Sequence, residues 1–179
     1  MKVPATGKNL YLVGFMGTGK SAIGRCIARQ LSARFIDTDS AIEAQVGRSV
    51  AGIFEQCGER HFRDLERQFI TSGHPCSGCV VACGGGLITQ PGMLDLLRAR
   101  GLVVCLCASV ATILRRTAES KKRPLLDVAD RRLQIESLLE KRRLFYQQVQ
   151  IAVHTDYRSI AEVAAQTLRI YQEYAGSKV

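Results

Sequence analysis

The stretch that decides the fold runs from residue 14 to residue 21 and reads Gly14-Phe15-Met16-Gly17-Thr18-Gly19-Lys20-Ser21. It fits the pattern G-x-x-x-x-G-K-[ST], in which a glycine-rich loop turns so sharply that successive backbone N–H groups point at phosphate oxygens. The lysine of this pattern reaches the β- and γ-phosphates, and the next hydroxyl holds Mg²⁺. The predicted ATP-binding residues of this segment are Gly14, Gly17, Thr18, Gly19, Lys20, Ser21 and Ala22.

The residues on either side of the loop have the pattern that a phosphate-binding loop requires. An apolar run from Asn9 to Val13 leads into it, and Ile23, Ile27 and Leu31 follow at a spacing of four, on one face of a helix. The N-terminus of that helix adds partial positive charge at the same place. An accidental glycine turn is the alternative, and these flanks disfavour it.

Short apolar segments alternate with helical patterns along the rest of the chain. The predicted strands are Asn9 to Val13, Arg34 to Asp37, Cys79 to Ala82, Leu102 to Leu106 and Gln150 to His154. Alternation of this kind predicts an α/β fold with three layers, α/β/α, around a five-stranded parallel sheet. Ligands of such sheets bind at the carboxyl ends of the strands.

We expect residues 1–179 to form one domain with two additions. A helical subdomain is predicted from about residue 39 to residue 72, because no strand follows until Cys79. A mobile lid is predicted from about 119 to 129, where the chain is polar and charged. An ordinary solvated loop is the alternative for this second segment.

Composition and charge limit the class of protein. Hydrophobic residues make up 46% of the 179 residues, and no apolar run is as long as a membrane span. Residues 1–8 lack a hydrophobic signal region, so we expect a cytoplasmic protein with no membrane partner. The formal net charge of +9 raises nucleic-acid binding as an alternative. The arginines are scattered, however, and a site for ATP and an anionic acceptor explains the charge as well.

The chain has seven cysteines, an odd number that cannot pair completely within it. Cys76 and Cys79 form a lone C-x-x-C, which leaves a zinc or redox site open, although no second pair or histidine pair completes it. Buried, reduced cysteines are the favoured interpretation. The cysteines predicted to lie in the core are Cys26, Cys105 and Cys107.

Two carboxylates end the second predicted strand. Asp37 and Asp39 are two residues apart and would enter the cleft from the same side. One of them could orient Mg²⁺, and the other could accept a proton from a substrate hydroxyl. Helix capping is the alternative, with Asp39 or Ser40 as the N-cap.

Further along the chain, Gly84-Gly85-Gly86 follows an apolar strand, and three glycines permit close backbone approach to a ligand. Arg142 and Tyr146 lie four apart, on one side of a helix. A guanidinium group pairs with carboxylate or phosphate through two parallel hydrogen bonds.

Together these segments resemble shikimate kinase along nearly the whole chain. The matching residues are the loop from Gly14, Phe35-Ile36-Asp37-Thr38-Asp39, Gly58-Glu59, Phe62-Arg63, Leu65-Glu66, the glycine triplet from Gly84, Arg123-Pro124-Leu125-Leu126, and Arg142 with Tyr146. The glycine loop alone is shared by many kinases, whereas the other motifs in this order are far more specific.

The resemblance implies a P-loop fold like that of nucleoside monophosphate kinases, and a monomer. The implied reaction transfers the γ-phosphoryl group of ATP to the 3-hydroxyl of shikimate, with Mg²⁺, in aromatic amino acid biosynthesis. The implied catalytic residues are Lys20, Asp39 and Arg123. The implied shikimate-binding residues are Asp39, Arg63, Gly84, Gly85 and Arg142. Further implied ATP contacts are Arg116, Arg123 and Arg158, and the implied metal ligands are Ser21 and Asp37.

The sequence also departs from the family pattern. Cys105-Leu106-Cys107 lies where the family usually has an aspartate near position 107, and Cys83 lies where threonine is common. Two alternatives remain open at this point. One is a gluconate kinase-like enzyme of the same fold, and the other is a nucleotide-binding module without catalytic activity.

Overall fold

A computed structural model describes residues 7–118, 128 and 130–176 of the chain. The strands in this part are β1 (Asn9–Val13), β2 (Arg34–Asp37), β3 (Cys79–Ala82), β4 (Gly101–Cys107) and β5 (Ala152–His154). The α-helices are α1 (Lys20–Leu31), α2 (Thr38–Val46), α3 (Val50–Gln68), α4 (Met93–Arg100), α5 (Val110–Thr117), α6 (Arg131–Gln147) and α7 (Ile160–Gly176). A π-helical turn (Phe69–Gly73) extends α3, and a 3₁₀ turn (Leu87–Thr89) precedes α4.

All five strands form one parallel sheet in the order β2-β3-β1-β4-β5. The predicted sheet is thereby confirmed, and β1, β2 and β3 have the predicted bounds. The strand β4 is one residue longer at each end, whereas β5 begins at Ala152 and not at Gln150. The reason is that Val149 N still bonds to Tyr146 O, so the chain is finishing the turn after α6 at this point.

Two hydrophobic cores lie on opposite faces of the sheet, because successive strand residues point to opposite sides. Leu10 and Leu12 of β1 pack with α1 and α7 on one face. Tyr11 and Val13 pack with α2, α3 and α4 on the other. Every residue of β1 is buried, as expected for the central strand of a covered parallel sheet. The predicted three layers are present.

The segment predicted as a helical subdomain folds as α2, α3 and the π-helical turn. Gly58 interrupts α3 with φ 78° and ψ 167°, a conformation that other residues rarely adopt, and so kinks the helix. That this segment acts as a unit of its own stays a prediction. The predicted lid lies outside the described residues except for residue 128, and Arg123 lies outside them as well.

The expectation of buried cysteines is only partly correct. All seven are reduced; Cys79, Cys83 and Cys105 are buried, whereas Cys57 and Cys76 are exposed. Cys26 and Cys107 pack against the core but stay partly exposed. Cys26 lies at the border of the buried face of α1, and Cys107 is the last residue of β4. Within the described ranges, no group of three His, Cys, Asp or Glu side chains is placed to hold a metal.

One finding bears on membranes: none of the described helices has the length and apolar character to cross one.

Candidate active site

The glycine-rich loop lies at the carboxyl end of β1, directly before α1. Gly14 has φ +131°, and a Cβ atom there would overlap the carbonyl oxygen of Leu106 on β4. Gly19 caps α1 in the left-handed conformation. Because α1 starts at Lys20, the N–H groups of its first turn lie at the same loop.

The side chains of the loop hold its shape. Lys20 Nζ donates hydrogen bonds to Gly14 O at 2.9 Å and to Phe15 O at 2.8 Å. The buried Thr18 donates from Oγ1 to the same Phe15 O at 2.8 Å. These bonds place the ammonium group of Lys20 over the loop, on the side of the sheet where the strands end.

Ser21 and Asp37 are in direct contact. Ser21 Oγ donates to Asp37 Oδ2 at 2.6 Å. Asp37 is also the N-cap of α2, since its Oδ1 accepts from Ser40 N. The expectation that Asp39 or Ser40 caps this helix is therefore wrong, because the helix starts one residue earlier, at Thr38. The hydroxyl and carboxylate oxygens of Ser21 and Asp37 are hard donors of the kind Mg²⁺ prefers, so the predicted metal ligands fit this ion.

Asp39 lies in the first turn of α2 and faces the glycine triplet. A Cβ atom at Gly84 would lie 2.5 Å from Asp39 Oδ1. Burial raises the pKa of Asp39 above its ordinary value, and the negative charge of Asp37 raises it further. Asp39 is therefore a stronger proton acceptor than an exposed aspartate.

The glycine triplet leaves space for the side chains around it. Gly84, Gly85 and Gly86 all lie outside the left-handed region, so their backbone does not require glycine. A Cβ atom at Gly86 would lie 2.6 Å from Arg63 Nη2, and one at Gly85 would lie 3.6 Å from Arg142 Nη1. The predicted acceptor-binding residues, which come from four separate segments, thus meet at the triplet.

Two carboxylates orient Arg63. Its guanidinium group donates to Glu59 Oε1 at 2.7 Å and to Glu66 Oε2 at 2.7 Å. The Glu66 side chain is fully buried, and Gln90 Nε2 donates to the same Oε2 at 2.7 Å. Burial raises the pKa of Glu66 to about 7, although the charge of Arg63 opposes this shift.

Sequence reasoning assigned no role to Glu66, although its spacing of three from Arg63 on a helix was a usable signal. Glu66 Oε1 is buried and has no hydrogen-bond partner among the described residues. It points at Gly84, where a Cβ atom would come within 2.8 Å of it. Glu66 therefore belongs to the polar lining around the triplet.

The helix α6 brings Arg142 to the other side of the triplet. The Arg142 guanidinium lies 5.7 Å from the centroid of the Phe15 ring in the glycine-rich loop. One turn later, Tyr146 OH donates to Gly85 O at 2.8 Å. Burial raises the pKa of Tyr146 to about 12, so this hydroxyl stays a donor at neutral pH. Tyr146 is a second residue whose role the sequence did not reveal.

The arginines predicted for the nucleotide side occupy different positions. Arg116 donates to Gly17 O at 3.2 Å and to Thr155 Oγ1 and Thr155 O at 2.9 Å, so it joins the glycine-rich loop to the loop after β5. Arg158 instead donates to His154 O and to Gln166 Oε1 on α7. The structure therefore connects Arg116, and not Arg158, to the glycine-rich loop.

The fold and this site define a class of protein. A five-stranded parallel sheet with a phosphate-binding loop after its first strand, and a pocket of arginines and carboxylates beside it, is that of a P-loop small-molecule kinase. The shikimate kinase family model matches residues 16–172. The chain belongs to the shikimate kinase family, and its activity is that of an ATP-dependent kinase.

Individual relatives agree with this assignment. Shikimate kinase of Caldanaerobacter subterraneus is 40% identical over 169 residues, which cover 94% of this chain and 99% of that protein. Shikimate kinase of Geobacter sulfurreducens is 40% identical over 174 residues, 97% of this chain and 96% of that protein. Among solved structures, shikimate kinase from Acinetobacter baumannii in complex with shikimate superposes with a TM-score of 0.88 at 35% identity, covering 95% of this chain and 96% of that one.

The gluconate kinase-like alternative is not favoured. A gluconokinase from Sinorhizobium meliloti superposes with a TM-score of 0.57 at 16% identity, over 98% of this chain and 99% of that one. Identity this low shows a shared fold and nothing about the acceptor.

Proposed function

We propose that this chain transfers the γ-phosphoryl group of ATP to the 3-hydroxyl of shikimate, with the acceptor bound at Gly84–Gly86. The observation that supports this proposal is the meeting of Asp39, Arg63 and Arg142 at the triplet. The triplet also adjoins the glycine-rich loop, since a Cβ atom at Gly85 would lie 3.5 Å from Met16 N. Acceptor and phosphate sites are therefore neighbours.

The charges of the pocket match the acceptor. Shikimate has a carboxylate at one end and three hydroxyls on its ring, and Arg63 and Arg142 supply two guanidinium groups for the carboxylate. Glu59 is 63% exposed, so its bond to Arg63 is weak and can be exchanged for one to the acceptor. The buried Glu66 keeps Arg63 in place during this exchange. Gly84 and Gly85 allow the acceptor to approach the backbone.

On the nucleotide side, the loop from Gly14 and the N-terminus of α1 bind the phosphates, and Lys20 offsets the charge of the transferring group. Ser21 and Asp37 would hold Mg²⁺, which, when bound, offsets charge on the phosphate oxygens. Arg116 lies where it can contact the base, between the loop and Thr155. For Arg123 and Arg158 the expected ATP contacts remain part of the proposal.

Asp39 orients the 3-hydroxyl and accepts its proton as the bond to phosphorus forms. The raised pKa of Asp39 suits this role. Phosphoryl transfer depends chiefly on positioning and electrostatics, so a carboxylate of modest basicity is sufficient. Excluding water from the closed site prevents hydrolysis of ATP. We further propose that the enzyme acts as a cytoplasmic monomer without nucleic-acid or membrane partners.

The test is ADP release from ATP and Mg²⁺ in the presence of shikimate, of gluconate, or of no acceptor. Stimulation by shikimate alone is expected. Asp39→Asn should lose most shikimate-dependent turnover while its affinity for ATP is unchanged. Asp64→Asn, at an exposed position on α3, is the matched control and should keep wild-type turnover. Equal stimulation by gluconate, or equal turnover of both variants, would refute the proposed acceptor site.

A further inference from the structure

Two thiols beside the site take no part in the proposed reaction. Cys105 and Cys107 end β4 and, being two residues apart on a strand, lie on the same face of the sheet. Their Sγ atoms are 3.8 Å apart. Cys105 is buried, whereas Cys107 is partly exposed. One thiol of the pair is therefore accessible, and the second lies directly behind it.

Cys107 lies on a groove between α6 and the β4–β5 edge of the sheet. The groove has a volume of about 450 Å³. Its lining includes Leu139, Tyr146 and Val149 next to Cys107, with Glu140 and Arg143 also contributing. A groove of this size admits a small neutral molecule to the sulfur atom without any movement of the backbone.

The surroundings of Cys107 favour its thiolate. The hydrogen bond between the Cys105 and Cys107 sulfur atoms lowers the pKa of the Cys107 thiol, and the nearby His154 lowers it as well, whereas burial and Asp156 oppose them. The parallel register pairs Cys107 with His154, so both side chains lie on one face of the sheet. The same hydrogen bond raises the pKa of Cys105. An accessible thiolate beside a neutral thiol is the arrangement of a reactive and a resolving cysteine.

We propose that Cys107 is a site of reversible oxidation by small hydroperoxides, and that Cys105 resolves the oxidised form. The Cys107 thiolate attacks the terminal oxygen of the hydroperoxide, so that an S–O bond forms and the O–O bond breaks. The leaving alkoxide (hydroxide from hydrogen peroxide) takes up the proton that the Cys107 thiol released to solvent on ionising, and departs as the alcohol or water. Cys105 sulfur then attacks Cys107 sulfur. The S–O bond breaks, and the departing hydroxide takes the Cys105 proton as water. The two thiols lose two electrons, and the hydroperoxide is reduced.

The resulting disulfide would affect the phosphate-binding loop. Residues two apart on a strand have Cα atoms roughly 6.6 Å apart, near the upper limit for a disulfide. Closing the bridge therefore pulls on the peptide of Leu106, whose carbonyl oxygen packs against Gly14. We expect oxidation to lower ATP-dependent turnover, and the strained bridge to be reduced easily by a dithiol.

The test uses a parent protein in which the two exposed cysteines are replaced, Cys57→Ser and Cys76→Ser. Hydrogen peroxide should remove most of its turnover, and dithiothreitol should restore it. Peptide mapping should show a bridge between Cys105 and Cys107. Adding Cys105→Ala should trap sulfenic acid on Cys107, detected as a dimedone adduct. Adding Cys107→Ser should leave turnover resistant to peroxide.

Two results would overturn the proposal. One is a parent protein that peroxide inactivates while Cys107 carries neither the bridge nor the adduct. The other is inactivation of the Cys107→Ser protein at the rate of its parent. Peptide mapping of the parent requires no substitution in β4, so a folding defect in a variant does not affect it. Peptide mapping also detects the oxidation of Cys107 without an activity assay, so its result does not depend on which acceptor the enzyme phosphorylates.

Discussion

At the scale of single residues, Glu66 has the most unusual environment on the acceptor side. Its side chain is fully buried between Arg63 and Gln90, and its second oxygen points at Gly84. Removing a carboxylate from water favours the protonated form, which is why its pKa rises to about 7. Its protonation therefore changes near neutral pH.

This shift predicts how stability depends on pH. The pKa of Glu66 is about 7 in the folded chain and 4.5 as the ordinary value, so between these values the folded state binds more protons than the unfolded one. The free energy of unfolding should therefore fall as pH rises from 4.5 to about 7, by about 3 kcal/mol from this group, and then stay level. Urea unfolding of wild type and Glu66→Gln across this range measures the effect. Parallel curves for the two proteins would contradict it.

A second prediction at this scale concerns Gly84. In Gly84→Ala the new methyl group crowds Asp39 and Glu66, whose oxygen atoms are its nearest neighbours. We expect kcat/KM for shikimate to fall about tenfold or more, a loss of roughly 1.4 kcal/mol of transition-state stabilisation, with ATP affinity unchanged. Steady-state kinetics with each substrate varied in turn measures both.

The matched control for this variant is Gly52→Ala in the first turn of α3. There a Cβ atom meets only Ser49 Oγ, at 3.4 Å, an ordinary contact. Wild-type kinetics are expected. Equal losses in both variants would mean that the methyl group at Gly84 does not act through Asp39 and Glu66.

At the scale of elements, the kink in α3 sets the direction of the half-helix that carries Arg63. A Cβ atom at Gly58 would have no other atom within 4 Å. Gly58→Ala therefore disfavours the positive φ of this residue without creating a steric clash. We expect a loss of about 1–3 kcal/mol of stability and a higher KM for shikimate, because the variant favours a straighter helix that moves Arg63. Urea unfolding and KM measurements test the two effects.

Gly47→Ala is the control at this scale. Gly47 has φ +72° with open space around it, and it ends α2 far along the helix from Asp39. A loss of about 1–2 kcal/mol with an unchanged KM for shikimate is expected. If both variants raise KM alike, the kink does not position Arg63.

At the scale of the whole molecule, ligand binding should stabilise the fold, since both sites exist only when the strands are assembled. ADP with Mg²⁺ at 100 times its Kd adds about 2.7 kcal/mol, which raises Tm by about 5–10 °C for a chain of this size. In Lys20→Ala the same ADP concentration should give a much smaller shift. Shikimate should still raise its Tm, which separates loss of the phosphate site from misfolding. Calorimetry with each ligand measures both.

Strand bounds could be predicted from the sequence where they depend only on residues that are neighbours in the chain. The bounds of β1, β2 and β3 were predicted because each is a short apolar run between turn residues. The start of β5 was not, since at Gln150 and Ile151 the chain is still leaving the turn that Val149 closes after α6, and the strand begins only at Ala152. Asp37 was predicted as a metal ligand and missed as a helix cap, because spacing alone does not reveal which carboxylate a helix N-terminus binds.

The sequence by itself determined the phosphate-binding loop of this protein, the bounds of β1, β2 and β3, and its family. The loop from Gly14 to Ser21 is one continuous segment, and the glycine conformations and helix start that it requires are local properties of the backbone. The residues of the acceptor side were named through the family resemblance, and only the tertiary structure decided that they meet. Asp39, Arg63, Gly84 and Arg142 come from four segments, which meet at the glycine triplet because the parallel order β2-β3-β1 brings the carboxyl ends of these strands to one edge of the sheet. The burial of Glu66 and the accessibility of Cys107 also depend on that packing, because desolvation depends on every element that surrounds a side chain.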